Sequence, residues 1–79
     1  MKIENLGANH QIIENDKSIF LASYGTIICK VEEEKIYLDS KFWNYSSTTS
    51  KYRNKFLKED TKTTETKLKQ GIYFLTNLN

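Results

Sequence analysis

The stretch SIFLASYGTIICKVEEEKIYLD, from Ser18 to Asp39, decides the fold because it contains three short strand-like runs, two of which show a two-residue period. In the middle run, one set of alternating residues is Ile27, Cys29 and Val31, and the other is Ile28, Lys30 and Glu32. In the third run, Ile36 and Leu38 share a face in the same way. This alternation is typical of strands with one face in a core. The stretch therefore predicts a small antiparallel sheet of three to four strands.

The connection between the first two runs is open to two interpretations. Gly25 permits a positive φ, so Tyr24-Gly25 is either a tight hairpin turn or a bulge in one long bent strand. Upstream, HQIIEND predicts a short strand from His10, followed by a turn, whereas the first eight residues, MKIENLGA, show no clear period. The amino-terminal eight residues are therefore left without a predicted element.

The pattern changes from strand to helix after Ser40. A main helix is predicted at about 46–58, with Ser46 or Ser47 as its N-cap. A short second helix is predicted at about 61–70, followed by a C-terminal strand in IYFLTNL. The prediction is an α+β fold in a single domain, residues 1–79. The stripe of the main helix expected to pack on the sheet contains Tyr45, Thr49, Tyr52 and Phe56.

Composition limits the classes of protein to consider. A hydrophobic fraction of 38% supports a globular domain rather than a disordered chain. The single cysteine cannot form an internal disulfide, and no signal segment or long apolar run is recognisable. These features predict a cytoplasmic protein without a membrane segment. Residues 1–40 carry four lysines against seven acids, a net of −3, whereas residues 41–79 carry eight Lys/Arg against three acids, a net of +5.

No residue pattern indicates catalysis, a cofactor or a metal site. His10 has no cysteine or acidic pair at metal-ligand spacing, and Cys29 falls on the predicted core face, where a thiol is inert. The hydroxyl run from Ser46 to Ser50 lacks the glycines of a phosphate loop and the partner motifs of an activated serine. We therefore expect neither an enzyme nor a cofactor.

The predicted main helix carries a basic face. Lys51, Lys55 and Lys58 gather on an arc opposite the apolar stripe, where they could contact an anionic partner or nucleic-acid phosphates. Arg53 is expected at the border of the stripe, with its stem packed and its head in water. Trp43 precedes the helix and is either a staple onto the sheet or an exposed anchor for a partner.

Two motifs, SYGTII (Ser23–Ile28) and WNYSSTTSKYRNKFL (Trp43–Leu57), occur in the order and spacing of a known small module. The chain resembles a domain common in phage and prophage proteins of Gram-positive bacteria, and related modules stand at the N-terminal end of some anti-CRISPR proteins that act on Cas9. The hydroxyls of Tyr45 and Tyr52 in this motif are expected to need hydrogen-bond partners. Threonines of the motifs can serve as these partners, or they can cap the helix instead. The matching positions are Ser23, Tyr24, Thr26, Ile28, Tyr45, Ser46, Thr48, Thr49, Tyr52, Phe56 and Leu57.

The resemblance implies a phage-encoded anti-defence protein that binds and inhibits a Cas9-like nuclease in the host cytoplasm. The alternatives are a small nucleic-acid-binding or regulatory protein that uses the same basic face, and an assembly module of a larger phage machine. Exposed sheet edges in so small a domain also favour a homodimer. The predicted partner-binding residues are Trp43, Lys51, Arg53, Lys55 and Lys58.

Overall fold

The computed structural model describes all 79 residues, from Met1 to Asn79, as six strands and two helices. In chain order these are β1 (Lys2–Gly7), β2 (His10–Glu14), β3 (Ser18–Ser23), β4 (Thr26–Glu32), β5 (Lys35–Asp39), α1 (Ser47–Leu57), α2 (Thr61–Lys69) and β6 (Phe74–Thr76). The α+β prediction is confirmed. Neither helix has the length and hydrophobicity needed to span a lipid bilayer.

All six strands form one sheet in the order of the sequence. The first five strands pair antiparallel. β6 pairs with β5 in parallel, and the two helices form the connection from β5 to β6. The predicted strand count of three to four is therefore wrong. The missed strand β1 forms an edge, has no fully buried residue and contains a register shift between Asn5 and Gly7, so it lacks the alternation of a half-buried strand. β6 forms the other edge with three exposed residues.

Tyr24-Gly25 forms the hairpin turn of the first interpretation and is not a bulge in one long strand. Tyr24 and Gly25 have φ values of 51° and 79°, as a two-residue hairpin turn with the right-handed twist requires. A bulge follows in β4, where the register moves from Leu21–Cys29 to Ala22–Ile27.

The bulge changes which side chains of β4 face the core. Ile28 and Cys29 are consecutive, yet both are buried, at 1% and 0% exposure. Ile27, which alternation alone assigns to the core face, is only partly buried. Cys29 is buried as predicted, and burial raises the pKa of its thiol to about 12.

The helices lie on one face of the sheet and begin at side-chain caps. The Ser46 hydroxyl accepts the N–H of Thr49 at 3.1 Å, and the Asp60 carboxylate accepts the N–H of Thr63 at 2.8 Å. Both helices were predicted, and their observed bounds agree with the predicted ones within one residue. The core beneath them consists of Leu21, Ile28, Cys29, Leu38 and Tyr73, with Phe56, Leu57 and Leu68 from the helix layer packed against it.

The carboxylate of Asp39 joins the end of β5 to the C-terminus. It accepts the backbone N–H groups of Lys41 and Phe42 at 3.0 and 2.9 Å, and that of Leu78 at 2.8 Å. The side-chain amide of Asn79 donates to it at 3.0 Å. Burial alone would raise the pKa of Asp39, but these hydrogen bonds outweigh burial, so the pKa lies below its ordinary value.

Asp39→Asn is expected to lower the free energy of unfolding at pH 7 by about 1.5–3 kcal/mol, because both carboxylate oxygens accept hydrogen bonds and asparagine replaces one of them with an NH2 group that can only donate. A depressed native pKa contributes stability above the unfolded value of about 3.9, and this contribution disappears as the pH falls through the native pKa. Urea unfolding from about pH 7 to about pH 3 should therefore show wild type and variant converging in acid. Asp16→Asn, in an exposed turn, is the matched control. A difference that stays constant with pH contradicts this role for Asp39.

Candidate functional site

The three lysines of the predicted basic face are exposed, Lys51 and Lys55 on α1 and Lys58 at its C-cap, and none of them forms an ion pair. Lys51, Lys55 and Lys58 all reach solvent. The only ion pairs in the structure are Lys30–Glu32 and Lys67–Glu59. Lys51 and Lys55, four residues apart, lie on neighbouring turns of α1, whereas Lys58 follows the last turn with a left-handed backbone, φ 59°. The face therefore presents three uncompensated positive charges.

An apolar groove of about 250 Å³ borders this basic face. It lies between α1 and the hairpin of β1 and β2, and Lys55 stands at its rim. The Lys55 ammonium also lies 5.8 Å from the centre of the Tyr52 ring. The apolar lining residues are Leu6, Ile12, Tyr52 and Phe56. We call the groove together with Lys51, Lys55 and Lys58 the α1 surface.

Arg53 does not belong to the α1 surface. Its side chain is fully buried, at 0% exposure, so the prediction that its guanidinium lies in water as a partner contact is wrong. A helical wheel places Arg53 at the border of the stripe, but the segment before α1 and the start of α2 close over it. The burial lowers the pKa of Arg53 from its ordinary value, because desolvation disfavours the charged form.

The guanidinium of Arg53 links three segments of the chain. It donates to the backbone carbonyl of Trp43, to the side-chain oxygen of Asn44 at 3.2 Å and to that of Asn54 at 3.1 Å. It also donates to the hydroxyl of Thr61 at 2.7 Å, at the start of α2. Only the Nε atom lacks a partner. Arg53 is therefore a structural residue that positions both helices.

Trp43 behaves as a staple rather than as an exposed anchor. It is partly buried against the core, and its ring centre lies 5.1 Å from the Arg53 guanidinium carbon. A cation over an aromatic face is favourable, most of all when solvent is excluded. The packing and the carbonyl contact together fix the chain where it enters α1.

A polar cluster around His10, buried except for Ser46, joins the two motifs that carry the family resemblance. The His10 side chain is fully buried, and its ring stacks on Tyr52 with centroids 4.0 Å apart and planes at 15°. Its Nε2 atom lies 2.9 Å from the Ser23 hydroxyl, which lies 3.1 Å from the Thr49 hydroxyl. Ser46 in turn donates to Thr49 at 3.1 Å. We call His10, Ser23, Ser46 and Thr49 the histidine cluster.

Hydrogen-bond direction assigns the tautomer of His10. Its Nδ1 atom lies 2.7 Å from the Ala8 carbonyl, which can only accept, so Nδ1 carries the proton. Nε2 is then an acceptor for the Ser23 hydroxyl. The remaining bonds run in one direction, from Ser46 through Thr49 to Ser23. Every member of the cluster thus has a partner.

The Ser23–His10 pair has the spacing of a nucleophile and its base, but its surroundings favour a structural role. Ser23 is 3% exposed, and its hydroxyl already contacts both His10 and Thr49. A catalytic serine needs room for a substrate and an oxyanion site beside it. The geometry instead satisfies buried polar groups where β2, β3 and α1 meet.

Sequence reasoning missed the role of His10 and misassigned the hydroxyl contacts. No hydrogen bond involves the hydroxyls of Tyr45 or Tyr52, and Tyr45 is 64% exposed. The signal for the actual cluster lay in Ser23 and Thr49, one from each motif. Because β2 pairs with β3 so that His10 lies opposite Ser23, only the strand register reveals the third member.

The sheet face away from the helices carries a row of five apolar residues and one lysine that crosses all six strands. Leu21, Cys29 and Leu38 face the helices, so Phe20, Lys30 and Tyr37, each next to one of them and in regular register, face the opposite way. Tyr37 lies beneath the Lys30 ammonium at 4.8 Å and beside Phe74 at 5.6 Å. The directly opposed residues of this open row are Ile3, Ile13, Phe20, Lys30, Tyr37 and Phe74.

Comparison with known families places the chain in one of them. The profile of a family of unknown function, DUF8033, matches residues 1–72. The chain belongs to DUF8033. The match spans β1 to the end of α2, and so includes the histidine cluster, Arg53 and the α1 surface of this DUF8033 domain. No curated protein and no solved structure shows significant similarity to the chain.

Proposed function

We propose that this chain is a phage-encoded anti-defence protein that binds a Cas9-like nuclease in the bacterial cytoplasm and inhibits it by occupying its surface. The resemblance of the SYGTII and WNYSSTTSKYRNKFL motifs to modules of anti-CRISPR proteins supports the identity of the partner. The α1 surface supports the mode of action. The proposal requires binding alone and no chemistry from this chain.

The observation that carries the binding mode is the α1 surface itself, an apolar groove with unpaired lysines beside it. Protein interfaces commonly combine an apolar centre, which excludes water, with a polar rim. Leu6, Ile12 and Phe56 supply apolar area, and Lys51, Lys55 and Lys58 supply charge for an acidic partner surface. Nucleases that bind nucleic acid also carry acidic patches at metal-binding centres, to which such a rim is complementary.

Replacing Lys51, Lys55 and Lys58 together with glutamate is expected to weaken binding to a guide-loaded Cas9-like nuclease at least about 100-fold. Like charges would then face the acidic partner, whereas no ion pair within the fold is lost. Biolayer interferometry measures the affinity, and a DNA-cleavage assay measures inhibition. Circular dichroism should show an unchanged fold.

The matched control replaces Lys17, Lys35 and Lys41 with glutamate, because these lysines are also exposed but lie outside α1. This variant has the same net charge and should retain binding and inhibition. An equal loss of binding in both variants would mean that net charge alone, and not the position of the lysines, causes the effect. If wild type neither binds nor inhibits the nuclease, the proposed function is wrong.

Direct nucleic-acid binding is the rival function, and the three uncompensated lysines favour it specifically. Fluorescence anisotropy with labelled DNA and RNA distinguishes the two, because affinity from about three phosphate contacts falls with salt at a log–log slope of about −2 to −3. Tight, salt-sensitive binding in the absence of nuclease would favour the rival. Salt-sensitive binding that appears only with the nuclease present would favour inhibition through the protein surface.

A further inference from the structure

The free edge of β1 has the features of a self-pairing surface. β1 is the first strand in the sheet, so no strand of this chain pairs with its outer side. Its residues from Lys2 to Asn5 are exposed, it contains no proline, and Ile3 is 62% exposed. An open edge of this kind offers unpaired backbone N–H and C=O groups to another strand.

We propose that the edge of β1 binds the same edge of a second copy, in an antiparallel pairing centred on Ile3. A two-fold axis through Ile3 places it opposite its own counterpart. The same operation places Lys2 opposite Glu4, and Glu4 opposite Lys2. The two sheets then form one continuous twelve-stranded sheet with both helix layers on the same side.

Charge selects this register over its neighbours. Lys2 and Glu4 alternate with Ile3, so they lie on the helix side of the sheet, and neither forms an ion pair within the chain. Pairing centred on Lys2 or on Glu4 would place like charges directly opposite each other, which is unfavourable. Pairing centred on Asn5 would run into the register shift before Gly7. Only the Ile3 register forms two opposite-charge pairs.

The open row supports the same register. The open row ends at Ile3 on the edge strand β1. Ile3 lies opposite Ile13, and Ile13 lies opposite Phe20. In the dimer, the row of one copy continues through the Ile3 pair into the row of the other. The exposed Ile3 side chains then cover each other, which removes apolar area from water at the axis.

The interface is tested by exchanging its charges. Lys2→Glu places acids opposite each other at two symmetric positions, and Glu4→Lys does the same with bases. Each single variant should weaken dimerisation by about tenfold or more. The double variant Lys2→Glu/Glu4→Lys should restore it, and a mixture of the two single variants should form a heterodimer.

Sedimentation velocity of the untagged chain over roughly 5–500 μM measures the assembly, against a chain mass of 9.3 kDa. Wild type and the double variant should approach twice this mass as concentration rises, and Lys17→Glu, outside β1, should behave as wild type. A wild type that stays monomeric at the highest concentration overturns the proposal. So does a mixture of single variants that gains no heterodimer. Neither outcome bears on nuclease binding, which is measured separately.

Discussion

Arg53→Ala is expected to lower the free energy of unfolding by at least about 3 kcal/mol, enough to unfold much of a domain this small. The variant removes the donor of the Trp43 carbonyl, which has no other, and weakens the links to Asn44 and Thr61, which keep hydrogen bonds from Ser50 and Asn54. It also opens a cavity, since Arg53 is the largest fully buried side chain. Urea unfolding followed by circular dichroism measures the loss.

Two further variants separate the contributions of Arg53. Arg53→Lys keeps the charge but loses the planar fork, so it should still cost about 2 kcal/mol. Arg53→Met keeps most of the packed volume and removes the cost of burying a charge, so it should lose less than Arg53→Ala. Lys55→Ala, on the same helix but exposed, should stay within about 0.5 kcal/mol of wild type. Equal effects of Arg53→Ala and Lys55→Ala would contradict the structural role.

Arg53 also shows how far sequence predicts this molecule. Helical periodicity gives the position of each α1 side chain around the helix axis, but it does not say which other segments of the chain pack over that position. The segment before α1 and the start of α2 cover Arg53, because the chain folds back over the helix at both of its ends. The same period correctly predicted exposed lysines at 51, 55 and 58.

The strands also differ in how well the sequence predicts them. Alternation predicts a strand only where one face is buried, as in β3, β4 and β5. β1 and β6 are edge strands with exposed residues, each hydrogen-bonded to one neighbouring strand. β1 was missed, whereas β6 lies within the C-terminal strand predicted in IYFLTNL. The bulge at Ile28 likewise depends on pairing, since it shifts β4 by one residue against β3. Local pattern does not encode such pairing.

The attachment of α1 to the sheet depends on polar residues to an unusual degree. Its two fully buried residues are Thr49 and Arg53, one turn apart. Thr49 bonds to the histidine cluster on the sheet, and Arg53 bonds to the flanking segments. Apolar packing tolerates rotation of a helix, whereas these directional bonds do not. The two contacts therefore fix the rotation of α1, and with it the direction in which Lys51, Lys55 and Lys58 point.

His10→Ala is expected to lower the free energy of unfolding by about 3 kcal/mol, the second of the two largest effects. The change removes a buried ring that stacks on Tyr52, and it leaves the Ser23 hydroxyl without its acceptor. Ser23→Ala should cost about 1–3 kcal/mol, because Nε2 of His10 loses its only donor. Ser47→Ala, an exposed serine in the first turn of α1, is the control and should change little.

A double-mutant cycle tests whether His10 and Ser23 act together. If the hydrogen bond between them is a large part of both effects, the double variant should lose less than the sum of the single losses, by about 0.5–3 kcal/mol. Additive losses would mean that each residue acts only through its own packing. Nitrogen-detected NMR of the imidazole gives an independent reading, since the cluster requires the proton on Nδ1. A ring protonated on Nε2 would reverse the direction of the Ser23 bond and break the chain of donors from Ser46, and with it the polar link that orients α1 on the sheet.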